Sequence, residues 1–392
     1  MKKLLVLGAS IAQIPFIKTA KKMGCCVAVI DYDETAPAIE FADEYYKCSL
    51  LDIEGVLDIA QKFQPTGITC GASDVGVVTA AYICERQHLP GLSVETARTV
   101  KDKEVMIKAF EKHNVAHPEY RIVTSEFEEI DLCFPVVTKP VDNSGSRGIN
   151  VAHNKDELFR ALSDSFLNSR VRRVIVEEYL DGPEVSVEVL VQNSVPYVLQ
   201  VTDKITSGEP HFIETGHSQP SQLPELDVEA VRTLAKKAVN AVGITDGCGH
   251  VEIKLTSQGP KMVEIAGRLG GDFITTVLTP ISTGINVSEY EITRALGEPK
   301  LFEPNSLVSN GGVAVKFIEA KAGFVKTVEV DYLAEEMIGV EEIKFVCKTG
   351  VQYGEAVNNN DRFGYVIATG RTTQIAIDRC DKVIEHIRIQ ME

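Results

Sequence analysis

None of the nine cysteines in this chain falls in a C-x-x-C pair, and two of them, Cys25 and Cys26, are adjacent. Scattered thiols of this kind serve as small apolar core residues, which argues against a zinc site and for a reducing, cytoplasmic compartment. No stretch approaches the roughly 18 apolar residues that a membrane-spanning helix needs. The opening MKKLLVLGAS carries an apolar run that stops at Gly8, short for the apolar region of a signal peptide, and reads as a first strand. Positive charge is scarce as well: 40 Lys and Arg against 56 Asp and Glu leave a net charge of -16. Nucleic acid and anionic membranes, which need a basic face, are therefore not expected partners. A nucleotide is still compatible with that balance, because a few local lysines, arginines and backbone N–H groups can hold it, and a bound metal offsets charge further. Also missing are G-x-x-x-x-G-K-[ST], G-x-S-x-G and any Ser-His-Asp arrangement, so neither a Walker loop nor a nucleophilic side chain is expected. There is no internal repeat and no low-complexity tract.

What the chain does have is alternating structure. Its 392 residues are long for one core, so two or three domains are expected. From Lys2 to about Pro90, short apolar runs alternate with helical segments: KLLVLGAS, IPFIKTAKKMG, CVAVIDYD, GVLDIAQKF, GITCGAS. That order implies a parallel sheet with crossover helices, a small doubly wound unit. Gly8-Ala9-Ser10 and Asp31 invite a dinucleotide, but G-x-G-x-x-G is absent, so no NAD site is expected. The segment VETARTVKDKEVMIKAFEKHN reads as one charged connecting helix. From Phe134 strands dominate, with helices at about Lys155 to Leu167 and Val228 to Val242, an α+β pattern. After about Asn305 strands mix with one terminal amphipathic helix.

The most informative feature is a hairpin. GHVEIKL places Val251, Ile253 and Leu255 on one face and His250, Glu252 and Lys254 on the other, and KMVEIAGR places Val263 and Ile265 opposite to Glu264. With Thr256 to Pro260 as the loop and Leu255 paired to Lys261, Glu252 stands across from Glu264. Facing carboxylates repel by a few tenths to about 1 kcal/mol on a solvated sheet, and more when partly buried. A divalent cation between them is the simplest remedy; a solvated hairpin with acidic residues by chance is the alternative.

Other residues add to this. The loop Asn143-Ser144-Gly145-Ser146-Arg147-Gly148 joins two strands and can lay donors against phosphate oxygens, although an ordinary hairpin tip has the same composition. Lys139 lies in a strand among Val136, Val137 and Val141, and a lysine pointing inward there needs an anionic partner. Lys103 opens a helix, where a solvated lysine is commonplace. VIVEEYLDGPEVSVEVL reads as a hinge that can seat an adenine against Val176 and Leu180, with Glu184 reaching ribose hydroxyls, or as a plain hairpin. Arg268 suits a transferring phosphoryl group or a carboxylate, and Gly270 and Gly271 let the backbone approach a ligand. His217, in HFIETGHSQPS, is read on a loop as a surface or substrate-touching residue.

In this order and spacing, Lys103, Lys139 with its glycine-rich loop, the VEEYL hinge with Glu184, then Glu252 and Glu264-x-x-x-Arg268 resemble the ATP-grasp superfamily of carboxylate-amine ligases. Within it, SGSRGI, FIETGHSQPS and NNNDRFGYVIATG resemble L-amino acid ligases, which make dipeptides. The resemblance implies an α/β and α+β multidomain fold: a Rossmann-like domain at 1–95, an ATP-grasp domain at 96–305 and a small mixed α/β domain at 306–392. It implies adenine at Glu177, Glu178, Tyr179 and Leu180, ribose at Glu184, and phosphates on Lys103, Lys139, Ser144, Gly145, Ser146 and Gly148. Two Mg2+ ions, with Mn2+ as an alternative, would be bridged by Glu252 and Glu264, and Arg268 and Arg147 would act in catalysis. His217, Gly270 and Gly271 would face the substrates, a small carboxylate and an amine, and a homodimer is expected. The chain departs from many relatives in having Ala266 in place of Asn, which implies one metal ligand fewer. The rival readings are an enzyme that acts on bicarbonate, like carbamoyl phosphate synthase or biotin carboxylase, and a nucleotide-binding regulator. The larger loop about His217 and the length of the chain speak against the first, and the full metal pair with Arg268 speaks against the second.

Overall fold

The computed structural model describes the backbone of residues 1–392 and all side chains except those of Leu333 and Glu335. The N-terminal unit has strands β1 (Lys3–Leu7), β2 (Cys26–Asp31), β3 (Glu44–Lys47) and β4 (Gly67–Thr69), and helices α1 (Ile14–Lys22), α2 (Ile53–Phe63) and α3 (Val77–Gln87). The strands lie parallel in the order β3-β2-β1-β4, the doubly wound pattern that the sequence implies, with β3 as an addition. The connecting segment is two helices rather than the single one expected, α4 (Val94–Lys101) and α5 (Lys103–Lys112). Asp102 makes the break: its extended backbone ends α4, and its carboxylate accepts the Glu104 and Val105 N–H groups that α5 would otherwise leave unpaired. The break aims Lys103 into the protein.

A small antiparallel sheet follows, β5 (Tyr120–Val123), β6 (Val136–Pro140), β7 (Asn150–Ala152) and β8 (Val174–Glu178), in the order β5-β8-β6-β7 and covered by α6 (Lys155–Leu167). The large sheet begins with β9 (Glu184–Gln192), β10 (Val195–Thr206), β11 (Glu214–Gln219), β12 (Gly247–Thr256) and β13 (Gly259–Ala266), with α7 (Glu225–Ala241) on one face. Along β9, Val185, Val187, Val189 and Val191 enter one apolar core with Leu234 and Ala238 of α7, Ile83 of α3 and Ala97 of α4. The intervening Ser186 and Glu188 point the other way and are buried too. Glu188 meets Thr275 in the stretch that runs from Arg268 through a π-helical turn (Ile274–Leu278), α8 (Thr279–Thr283) and α9 (Val287–Ala295), while Ser186 borders a cleft.

The remaining elements are β14 (Gly312–Ile318), β15 (Gly323–Val330), α10 (Tyr332–Glu335), β16 (Val340–Phe345), β17 (Gln352–Tyr353), β18 (Gly364–Gly370), α11 (Thr373–Glu385) and β19 (Ile387–Met391). The expected boundary at 305/306 does not interrupt the large sheet, whose order is β13-β12-β9-β10-β11-β14-β18-β16. The expected terminal helix, α11, is also followed by a strand, since alternation in Ile387, Ile389 and Met391 pairs β19 with β15. Among the described residues no helix is long and apolar enough to cross a membrane.

Candidate active site

A cleft runs between the small sheet and the polar face of the large one. Its walls include Lys103, Lys139, the 143–147 loop, the hinge from Glu177 to Leu180, Glu184, His217, Glu252, Glu264, Arg268 and Gly271. Three expected contributors do not line it. Val176 is fully buried under α6, because Val174 and Val176 share the core face of β8 while Ile175 and Glu177 face away; Val137, Val151 and Ile149 form the apolar wall instead. Gly148 lies at the base of the loop, where a Cβ would come within 2.6 Å of Asn168 Cβ and 2.9 Å of Pro140 Cγ. A Cβ on Gly270 would meet His250 Nδ1 at 2.7 Å and Glu188 Oε1 at 2.9 Å, so that glycine admits a buried polar pair rather than a ligand.

On the small sheet, Lys139 is 8% exposed and has the anionic partner its position demands, Glu177, at 2.5 Å. Burial works against its charge, but Glu177 outweighs it and raises the lysine's pKa. Glu178 is tied to the backbone N–H of Glu119 at 3.0 Å and ion-paired to Lys261. Lys254 donates to the Leu180 carbonyl at 3.1 Å, and Gly182, at φ +128°, crosses so close to Leu255 O that no side chain fits. The hinge thus joins the two sheets across the cleft. In the loop, Arg147 is exposed and donates to Ser144 O at 3.0 Å.

On the large sheet, Glu252 is paired with Glu264 as expected, by a route that the sequence did not reveal. The turn is shorter than supposed: Leu255 pairs with Pro260 and Lys254 with Lys261, and a bulge at Val263 restores the register one residue later. The bulge puts Met262 and Ile265 in the core and turns Val263 to the cleft, where the alternating pattern had put it in the core. Glu264 Oε1 accepts from Lys103 Nζ at 3.1 Å; Lys103 is 6% exposed rather than solvated and also donates to Asn143 O at 2.8 Å. Glu252 lies 3.3 Å from Lys204 Nζ and 3.5 Å from His250 Nε2. Burial alone would raise its pKa, but Lys204 and then His250 hold it well below the usual carboxylate range. His250 is itself held by Glu188 at 2.6 Å, which overcomes burial and pushes its pKa up to about 9.

The far end contains three groups that the sequence reading missed. Asp74, three residues beyond Gly71 at the carboxyl end of a parallel strand, reaches Lys101 at 2.8 Å and Arg268 Nε at 3.5 Å. Its position just past a parallel strand end was the available signal. Asp272 receives a two-pronged ion pair from Arg362, 2.6 and 2.8 Å, and both Asp272 and Phe273 have left-handed backbones, φ +48° and +66°. His217 is not on a loop: it lies on β11, 1% exposed, with Nε2 3.2 Å from Glu214 and 3.6 Å from Asp272. Burial opposes its charge, while Asp272 and Glu214 together raise its pKa above the ordinary histidine value. Nδ1 has no partner, and Arg268 Nε lacks a hydrogen bond. The third group is Lys204, buried between β9 and β11.

The donor set fits a hard divalent ion. Two carboxylates face each other on adjacent strands, each retaining 23 to 28% exposure toward the cleft, beside lysines and an arginine suited to phosphate. Ala266 pairs with His250 and offers no oxygen of its own side chain, so Glu252 and Glu264 are the side chains that would hold the metal.

Comparison with known proteins gives two family matches and several similar folds. Residues 132–276 match the ATP-grasp domain, and residues 316–392 match the L-amino acid ligase C-terminal domain 2. A formate-dependent phosphoribosylglycinamide formyltransferase from Sulfurisphaera tokodaii is 24% identical over 97% of this chain and 95% of its own length. Among solved structures, an L-amino acid ligase from Bacillus licheniformis superposes with a TM-score of 0.88 at 20% identity, covering 100% of this chain and 99% of that one. A phosphoribosylglycinamide synthetase from Anaerococcus prevotii gives 0.81 at 24% identity, covering both chains in full.

Proposed function

We propose that this chain, in which residues 132–276 match the ATP-grasp domain, is a carboxylate-amine ligase that joins a small carboxylic acid, an amino acid, to an amine at the expense of ATP. The observation that carries this reading is the convergence of Lys103, Lys139, Arg268 and the facing pair Glu252 and Glu264 on one cleft. The match of residues 316–392 to the C-terminal domain of L-amino acid ligases favours an amino acid over bicarbonate as the acid.

In the first step a carboxylate oxygen of the acid attacks the γ-phosphorus of ATP; the new C–O–P bond forms as the bond to the ADP oxygen breaks. In the second, the amine nitrogen attacks the acyl carbon, phosphate leaves, and the nitrogen loses a proton. Magnesium, when bound, supplies charge neutralisation to the transferring phosphoryl group. The chain's own residues position and neutralise: Lys139 and Lys103 face the phosphates, the hinge takes the adenine, and Glu184 takes the ribose. Arg268, held by Asp74 at its Nε and by the Leu269 carbonyl at Nη1, lines the cleft where the transferring group would sit. His217, through Nε2, holds Glu214 and Asp272 at the wall of the cleft where the acid would sit. Closure of the 143–147 loop excludes water from the acyl phosphate. The assembly we expect is a homodimer, which light scattering tests.

The deciding measurement is release of ADP and phosphate from Mg-ATP across single and paired L-amino acids, with formate and bicarbonate included. Release that requires an amino acid and an amine establishes the ligase. Release with bicarbonate or formate alone replaces the acid, and ATP binding without any release replaces the enzyme with a regulator.

A further inference from the structure

Lys204 has no assigned role, yet it is the most heavily contacted charge in the cleft. It sits two residues from the C-terminal end of β10, with Glu184 of β9 and His217 of β11 as its cross-strand neighbours. Its ammonium lies 2.7 Å from Glu184, 3.0 Å from Glu214 and 3.3 Å from Glu252, and its side chain is 8% exposed. An ammonium has three N–H donors, and three carboxylates from three strands claim them. A lysine that only balanced a buried acid would need one partner. Here one positive charge is shared among three negative ones, and one of the three is half of the facing pair Glu252 and Glu264.

We propose that Lys204 is a positioning residue, a tethered counter-cation that holds Glu252 in the empty cleft and so bars free divalent metal from the Glu252 and Glu264 pair until a nucleotide arrives with it. This rests on the metal reading of that pair. A cation on Glu252 must approach an ammonium already within ion-pair distance of the same carboxylate, and like charges at that range repel strongly away from bulk water. Phosphate oxygens bring negative charge to the same place and offset the repulsion, so metal entering with a nucleotide meets a smaller barrier than metal alone. The contact to Glu214 sets the strength of the device, because it draws part of the lysine's charge away from Glu252.

The test is titration of the full-length protein with Mn2+ alone and with Mn2+ plus ADP, following free Mn2+ by electron paramagnetic resonance. Lys204→Met is expected to bind Mn2+ alone at least tenfold more tightly than the parent, and Lys204→Arg to match the parent. The gap between parent and Lys204→Met should narrow when ADP is present. Glu214→Gln, which leaves the lysine charge to Glu252, should shift metal-alone binding the other way, at least threefold weaker; it decides the matter if Lys204→Met does not fold. Equal metal-alone affinity in parent and variants, with normal Mn2+ binding in the presence of ADP, overturns the role of Lys204 and leaves the metal pair standing. Loss of Mn2+ binding under every condition overturns both.

Discussion

The two sheets that enclose the cleft carry their charges in opposite designs. On the small sheet the charges are few and separate: Lys139 pairs with Glu177 on the same sheet, Glu178 reaches across to Lys261 of the large sheet, and the exposed Arg147 touches only the backbone of its own loop. On the large sheet the charges form chains. Glu188 holds His250, which approaches Glu252, which Lys204 ties to Glu184 and Glu214, and Glu214 leads through His217 to Asp272 and Arg362. A wall of separate pairs can lose one without disturbing the others, whereas a connected buried network holds its atoms in fixed relation. On the proposed function, the difference would give capture of the nucleotide to the small sheet and geometry of the reaction to the large one.

The strongest challenge to that division is Glu264→Gln. Turnover should fall by about a thousandfold or more, while the thermal shift caused by ATP survives, since binding is shared with the opposite wall. Retained turnover would show that the large sheet is not where the chemistry is done. Lys139→Met, on the other wall, leaves Glu177 buried without its cation. It should lose about 3 kcal/mol in chemical denaturation and raise KM for ATP more than it lowers kcat, whereas a pure kcat effect would merge the two roles.

A third test uses acidity. The His250 value of about 9 in the folded protein lies above its ordinary value near 6.5, so its stabilisation is complete below about pH 6.5 and is lost as pH rises through 9. His250→Gln should flatten that stretch of the stability curve by at most about 3 kcal/mol. An unchanged curve would place the histidine outside the network. The smallest effects belong to the loop. Gly148→Ala, at φ +73° against Asn168 and Pro140, should cost about 2 kcal/mol, and Gly145→Ala, at φ +68° in open space, about 1 kcal/mol. Equal losses at the two positions would mean that the loop is as rigid at its tip as at its base.

The same contrast governs what could be read before the structure. Strands and helices with a clean period were visible, including α6 at the bounds expected and the valines of β9. The pairing of Glu252 with Glu264 was legible because the apolar positions fix the faces of both strands; the shorter turn and the bulge are local hydrogen-bond choices that side-chain patterns do not record, and here they cancel. Lys204 escaped because a lysine in DKIT looks the same whether water or three carboxylates surround it. Only the alternation Gln200, Thr202, Lys204, continued onto the neighbouring strands, identifies the buried polar face. His217 was misplaced for the opposite reason: glycine, proline and serine around it signal a loop, yet pairing to β10 and β14 on both sides makes the segment a central strand.

That central position has a consequence for how the protein is made. While a ribosome is still adding residues beyond Gln219, β11 has β10 on one side and nothing on the other, and it stays an open edge until residues 312–318 emerge to form β14. His217 meanwhile lacks the ring contact that Phe317 later provides. The newborn chain therefore carries an unfinished sheet margin through almost a hundred residues of synthesis, an interval in which helper proteins that shield exposed strands would matter most.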